Sequence, residues 1–134
     1  MTKVLGDNME DLEARFKAIC IKLWGDEEGE ATYQWIVENR PAYFHGMLVQ
    51  VMVPMWEMNK VDLKTKILCM CACFTARHMQ EVEFMFKAAA HHGIPREQVE
   101  EIILMAGVEG GFPSAEMAIM ILMRVYDEHA AKNA

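Results

Sequence analysis

Residues Cys69–Glu83 read CMCACFTARHMQEVE and concentrate side chains that can do chemistry: three cysteines at alternate positions, one histidine and two glutamates. Such residues can form a redox centre, a metal site or an acid–base pair. Because the run contains neither glycine nor proline, we expect it to lie on one long helix. Helical geometry then decides which of these side chains can act together.

The spacing of the cysteines disfavours both redox and zinc chemistry. Cys69 and Cys71 point about 200° apart on a helix, so they face opposite sides. Cys69 and Cys73 share a face, but a rigid helix orients their Cβ atoms poorly for a disulfide. The C-x-x-C spacing of a working dithiol is missing, and no second pair converges with these thiols to hold zinc. We therefore predict buried and unreactive cysteines.

The histidine and the first glutamate of the run indicate acid–base chemistry instead. A helical stripe about 80° wide carries Cys71, Phe74, His78, Glu81, Met85 and Ala89. Its two ionisable residues, His78 and Glu81, would lie one turn apart and within reach of each other. A carboxylate and an imidazole in apolar surroundings can pass a proton near neutral pH. The structural alternative pairs Arg77 with Glu81 and leaves His78 as a satisfied core residue.

The rest of the chain supplies helices that would hold this run in place. Strand signals are nearly absent, since there is no Asn-Gly turn and no sustained alternation. Asp62 and Ser114 are predicted helix caps, Asp7 or Asn8 is predicted to cap the first helix, and Pro54 is predicted to kink or end the third. We predict one all-α domain over residues 1–134, with N-terminal helices in 1–40 and a helical core in 41–130. The six predicted helices cover about residues 8–24, 27–39, 41–54, 63–92, 95–109 and 114–130.

Composition and charge narrow the functional classes. The chain has 134 residues, of which 53% are hydrophobic and 25% charged, as in a globular protein. Its net charge of −7 argues against nucleic acid as a partner. Neither an apolar membrane span nor a signal-peptide core is visible, so we expect a cytoplasmic protein with no membrane partner. The 13 methionines favour core and oligomer-interface packing, or an adaptable pocket for an apolar ligand.

Three segments resemble the carboxymuconolactone decarboxylase and alkylhydroperoxidase D-like superfamily. They are VDLKTK at Val61–Lys66, AAAHHGIPREQVEEIIL at Ala88–Leu104 and GGFPSAEMAI at Gly110–Ile119, and PAYFHG at Pro41–Gly46 is a weaker match. Their order and spacing follow the family's pattern over about Pro41–Tyr126. The resemblance implies an all-helical fold that assembles into homotrimers or homohexamers and acts on a small-molecule substrate.

The resemblance supports the predicted fold more strongly than it supports peroxidase chemistry. In the peroxidase branch the two thiols of the C-x-x-C lie 15 and 12 residues before the glycine matching Gly93, and His78 and Glu81 occupy those positions here. The family's later histidine corresponds to Met85, and the glutamate of the peroxidase branch falls on Ile67. No thiolate nucleophile therefore stands at the matching site, whereas an acid–base pair does.

Further residues complete the predicted site. Glu109 precedes Gly110–Gly111 at a helix end, where its charge opposes the macrodipole. This placement suggests a functional role or a partner, and a solvated surface glutamate is an equal alternative. The predicted pocket wall consists of His45, Tyr43, Phe74, Met85, Cys71 and Met105. His78, Glu81 and Glu109 would also suit a divalent metal. Because no H-E-x-x-H or similar pattern supports one, we expect no cofactor.

These observations predict a carboxymuconolactone-decarboxylase-like lyase or isomerase that uses acid–base chemistry on a small organic acid or lactone. His78 would be the acid or base, Glu81 would orient it or relay the proton, and Glu109 would offer a second carboxylate. Two alternatives stay open: a thiol-dependent alkylhydroperoxidase-like antioxidant protein, and a non-catalytic ligand-binding oligomer.

Overall fold

The computed structural model describes residues 9–134, and within that range every regular element is an α-helix. The all-α prediction is therefore confirmed. No helix in the described range is long and apolar enough to cross a membrane. The seven helices found there are α1 (Met9–Trp24), α2 (Asp26–Glu38), α3 (Ala42–Glu57), α4 (Leu63–Ala76), α5 (Val82–His91), α6 (Arg96–Gly110) and α7 (Phe112–Lys132).

The helices group into two compact units that divide between residues 60 and 61. In the first unit, α1 packs against both α2 and α3. In the second, α4 and α7 each pack against α5 and α6 and also contact one another. Each unit buries its own apolar core, which includes Leu12, Phe16, Leu23, Val49 and Val53 in the first and Ile67, Phe86, Val99, Ile103 and Leu122 in the second. The division of one domain into N-terminal helices over 1–40 and a helical core over 41–130 stays a prediction.

The helix ends follow the predicted signals in part. The Asp62 carboxylate caps α4 by accepting hydrogen bonds from the Thr65 N–H and hydroxyl, both at 2.9 Å. Ser114 is not the cap of α7, because Gly111 with φ 98° takes that position and Ser114 lies inside the first turn. Pro54 does not end α3, because three more helical residues follow it. Proline lacks the backbone N–H, so a single helical hydrogen bond is lost. The predicted cap at Asp7 or Asn8 lies outside the described residues.

The largest departure from the prediction is the long helix over 63–92, which does not exist as one element. Helix α4 ends at Ala76 and α5 begins at Val82, with a turn over residues 77–81 between them. Six predicted helices thus become seven within the described range. The helical wheel that placed side chains from both parts on one stripe is therefore wrong.

The break is a Schellman motif with a histidine at the left-handed position. His78 has φ 56°, and no other non-glycine residue in the described range has a positive φ. Its N–H donates to the Thr75 carbonyl at 3.0 Å, and the Met79 N–H donates to the Phe74 carbonyl at 2.9 Å. These are the two hydrogen bonds that define the motif. The helix ends here because these two hydrogen bonds occupy carbonyl groups of its last turn, so the helical hydrogen-bond pattern does not continue.

Helix α5 ends with the same motif built on a glycine. Gly93 has φ 70°, its N–H donates to the Ala90 carbonyl at 3.1 Å, and the Ile94 N–H donates to the Ala89 carbonyl at 3.0 Å. A left-handed conformation costs an ordinary residue about 1 kcal/mol and glycine nearly nothing. His78 therefore bears a conformational cost that Gly93 avoids.

Small residues bring the ends of α4 and α6 into contact with each other and with the start of α7. A Cβ atom on Gly110 would lie 2.5 Å from the Ala76 carbonyl oxygen, and one on Gly107 would lie 2.8 Å from the Ala115 Cβ. Neither glycine can carry a side chain without displacing its neighbour. The turn that holds His78 is consequently next to the end of α6.

Replacing Gly110 with alanine tests the close contact between the ends of α4 and α6. We expect Gly110→Ala to lower the free energy of unfolding by about 1–3 kcal/mol, because the added methyl group overlaps the Ala76 backbone. Chemical denaturation measures the change. Gly46→Ala is the matched control, since its Cβ would meet only the Met9 Cε at 3.6 Å and should leave stability unchanged or slightly raised. Equal effects of the two substitutions would contradict the close approach.

Candidate functional site

The site centres on the imidazole of His78, which reaches from its turn to the first turn of α7. His78 Nδ1 lies 3.0 Å from Ser114 Oγ, and Ser114 Oγ lies 3.4 Å from the Gly110 carbonyl oxygen. Ser114 is buried, whereas His78 is exposed. The serine hydroxyl thus connects an exposed imidazole to a carbonyl at the end of α6.

The single proton of that hydroxyl determines the direction of the hydrogen bonds. A carbonyl can only accept, so Ser114 donates to Gly110 and must accept from His78 if both contacts are hydrogen bonds. His78 then carries its proton on Nδ1, and Nε2 keeps a free lone pair. An exposed imidazole held in this tautomer can act as a base through Nε2.

A buried hydroxyl lies next to this arrangement. Thr75 is completely buried in the last turn of α4, and its Oγ1 has no hydrogen-bond partner within residues 9–134. Leaving such a group unsatisfied costs about 1–3 kcal/mol. Its own carbonyl accepts the His78 N–H. The left-handed histidine and the unsatisfied threonine therefore coincide at one turn, and local strain of this kind is concentrated at functional sites.

The two predicted carboxylates, Glu81 and Glu109, lie near this turn on different parts of the chain. Glu81 is the exposed residue immediately before α5, and its side chain makes no capping bond there. The imidazole of His78 pairs with Ser114, not with Glu81 as the continuous helix predicted. Glu109 is exposed and precedes Gly110, so its backbone lies at the end of α6 that contacts Ala76. Catalytic roles for the three residues stay predictions.

The predicted pocket residues of the second unit differ in exposure. Cys71 is fully buried, Met85 is buried and Phe74 is half-buried, whereas Met105 on α6 is 64% exposed. The first two belong to the apolar core. A pocket lined by these side chains stays a prediction.

His45 and Tyr43 lie in the first unit, on α3. Tyr43 is exposed, but His45 is buried, and its Nε2 lies 2.5 Å from Glu13 Oε1, out of line for a regular hydrogen bond. The Tyr33 hydroxyl donates to the other oxygen of Glu13 at 2.7 Å. Burial and this hydrogen bond raise the pKa of Tyr33 to about 12. The Phe16 ring packs edge-on against the imidazole.

Sequence reasoning missed Glu13, Tyr33 and the role of Ser114. A usable signal existed for Glu13, because it shares a helical face with Phe16 and Cys20, where a charged residue needs a buried partner. No comparable signal connects Ser114 with His78, since 36 positions separate them in the chain.

The four cysteines divide into two classes. All are free; Cys20 and Cys71 are buried, and burial raises the pKa of each thiol to about 12. Cys69 and Cys73 are exposed on the opposite side of α4 from Cys71. The prediction of buried cysteines is therefore confirmed for the first pair and wrong for the second.

Neither metal geometry nor similarity to other proteins identifies the site. Within the described residues, no three side chains of His, Cys, Asp or Glu are grouped so that they could hold a metal ion. The comparisons found no matching protein-family model, curated protein or solved structure. Function must therefore be inferred from the geometry around His78 together with the sequence.

Thiol reactivity distinguishes the two classes of cysteine. With an aromatic disulfide reagent at pH 8, we expect two thiols to react quickly and two only after unfolding. A thiol of pKa about 12 holds roughly 10⁻⁴ of its population as thiolate at that pH, and only the thiolate attacks. In guanidinium all four should react. Rapid reaction of three or four thiols in the folded protein would contradict the assigned burial.

Proposed function

We propose that this chain is a cytoplasmic acid–base enzyme of the carboxymuconolactone decarboxylase type, a lyase or isomerase that acts on a small organic acid or lactone without a cofactor. One observation carries the proposal: His78 is exposed, its Nδ1 lies 3.0 Å from a buried serine hydroxyl, and Nε2 has no hydrogen-bond partner among residues 9–134. The resemblance of the segments around Asp62, Gly93 and Gly111 to that family supplies the reaction class.

The hydrogen-bonded serine holds the His78 ring in position for proton transfer at Nε2. When Nε2 takes a proton, positive charge spreads over the ring and strengthens the Nδ1–H bond to Ser114, because a charged donor forms a stronger hydrogen bond. The Gly110 carbonyl polarises the serine hydroxyl from its other side. A positioned imidazole of this kind contributes about 10²–10⁴-fold to a proton-transfer step.

A decarboxylation would use the protonated form of the same imidazole. The bond between the substrate carbon and its carboxylate breaks, CO₂ leaves, and the electron pair stays on the carbon as an enolate. His78 Nε2–H then donates its proton to that carbon, and the neutral imidazole takes a new proton from water. Glu81 and Glu109, both exposed near the turn, are the proposed groups that relay this proton from water to the imidazole.

Isomerisation of a lactone double bond needs the same groups in the opposite order. Nε2 first removes a proton next to the carbonyl and then returns it to a different carbon of the same delocalised anion. The net reaction consumes no proton and releases no CO₂. Release of CO₂ by the wild-type protein therefore separates the two reactions.

The thiol-dependent antioxidant protein is the second candidate, because Cys69 and Cys73 are exposed. Against it, the two thiols stand one helical turn apart instead of in the C-x-x-C spacing of a working dithiol. A non-catalytic ligand-binding oligomer is the third candidate, and it predicts no turnover of any substrate.

Helix α3 favours assembly of several copies of the chain. It carries no charged residue between Ala42 and Trp56, and its inner face is buried through Val49 and Val53. The opposite face exposes Phe44, Met47, Val51 and Pro54, at intervals of three, four and three residues. A helix with apolar side chains on both faces is expected to have both faces buried against other surfaces.

A second copy of the chain fits this face better than a charged partner. The net charge of −7 makes copies repel each other elsewhere on their surfaces, and an uncharged face avoids that repulsion. The spacing is that of a helix-pairing seam. We propose that α3 forms part of the contact in a homotrimer or homohexamer.

Turnover by His78 variants tests the proposed function. With a panel of small carboxylated lactones and β-keto acids, we expect His78→Gln to lower kcat by at least about 10²-fold, and Ser114→Ala to lower it less without changing KM. His129→Gln, far along α7, is the control and should behave as wild type. CO₂ release and ultraviolet absorbance follow the reaction. Full activity of the His78→Gln enzyme would overturn the assignment.

Sedimentation velocity tests the assembly. We expect Val51→Glu to shift the protein to smaller species, because a buried unpaired carboxylate in the seam is strongly unfavourable. Gln34→Glu adds the same charge at an exposed position of α2 and should leave the distribution unchanged. A wild-type protein that is monomeric, or a Val51→Glu protein that assembles as before, would contradict the α3 contact.

A further inference from the structure

Two exposed thiols on α4 are not used by the proposed acid–base chemistry. Cys69 and Cys73 are free and exposed, whereas Cys71 between them is turned into the core and is fully buried. Because the exposed pair is four residues apart, both thiols lie on one face of the helix, one turn from each other. We propose that Cys69 and Cys73 together bind one Cu(I) ion.

Helical geometry keeps this pair from forming a disulfide. Cβ atoms four residues apart on a helix are about 5–6 Å from each other, while a disulfide needs about 3.5–4.5 Å. Two thiolates on opposite sides of one metal ion, at metal–sulfur distances similar to the roughly 2.3 Å of zinc, would place their sulfurs about 4.6 Å apart. The pair therefore suits a bridging metal ion and not a direct bond.

The small number of ligands selects the metal. No three His, Cys, Asp or Glu side chains are grouped anywhere in residues 9–134, so the ion must be satisfied by two thiolates. Zinc requires four ligands and calcium requires oxygen ligands. Soft sulfur ligands select Cu(I), which accepts two-coordination. The half-buried Met70, three residues before Cys73, adds a thioether on the neighbouring side of the helix.

Binding exchanges protons for the metal ion. Cu(I) and two thiols give an anionic bis-thiolate complex and release two protons, with no change of oxidation state. Because Cu(I) displaces the thiol protons, its affinity must increase as the pH rises. Two cationic residues flank the pair along the helix, Lys66 before Cys69 and Arg77 after Cys73, and their charge favours the anionic complex.

Anaerobic titration of the full chain with Cu(I), in competition with a chromogenic Cu(I) chelator, tests the proposal. We expect one ion per chain. Cys69→Ser and Cys73→Ser should each lower the affinity at least about 10²-fold, because each loses the advantage of two linked ligands. Cys20→Ala removes a buried thiol of the other unit and should bind as wild type does.

A relocated pair provides the decisive control. Thr65 is exposed and lies four residues before Cys69, so the double variant Thr65→Cys/Cys73→Ser recreates the same spacing one turn earlier. It should recover most of the lost affinity, and the backbone N–H of residue 65 can still donate to the Asp62 carboxylate that caps α4. Wild-type affinity in either single serine variant, or one copper per two chains, would overturn the proposal. So would formation of a Cys69–Cys73 disulfide within one chain on treatment with peroxide.

Discussion

The second unit depends on one backbone constraint, the left-handed conformation of His78 at the end of α4. The same hydrogen-bonded motif ends α5 at Gly93, where a glycine adopts the conformation at almost no cost. A histidine at this position costs about 1 kcal/mol, but it places a side chain where glycine has none. The close approach of Gly110 to Ala76 then sets the distance from the turn to α6 and α7. An imidazole reaches Ser114 because the helix stops where it does.

In each compact unit an imidazole lies against a polar side chain from another helix, and exposure separates the roles of His45 and His78. His45 is 8% exposed and lies against Glu13 and Phe16, and Tyr33 donates to the same glutamate, so a partly buried polar cluster joins three helices. His78 has the opposite arrangement, since its serine is buried and the histidine itself is exposed. A substrate can approach an exposed ring nitrogen and cannot approach a buried one. For this reason the proposed chemistry belongs to His78, and the first cluster is assigned to stability.

Local sequence signals predict most of the helices and little of the site. Apolar periodicity predicts α1, α2 and α6 nearly to the residue, and Asp62 caps α4 as its type indicates. The turn after Ala76 was missed because a histidine stands where a helix end normally shows glycine, so no breaker interrupts the run. Treating that run as one helix made His78 and Glu81 false neighbours. The sequence predicts Ser114 as a helix cap, which is wrong, since Gly111 takes that position. The contact of Ser114 with His78 depends on how α4, α6 and α7 pack, which no local pattern encodes.

The protonation of the His78 ring tests the central claim most directly. Long-range ¹⁵N–¹H NMR of the imidazole, recorded above the pH at which the ring is charged, distinguishes the two neutral tautomers. If Ser114 accepts from Nδ1–H and donates to Gly110, the spectrum will show Nδ1 protonated and Nε2 as an unprotonated, base-like nitrogen. A proton on Nε2, or two nitrogens averaged by rapid exchange between tautomers, would show that the serine does not hold the ring and would contradict the account.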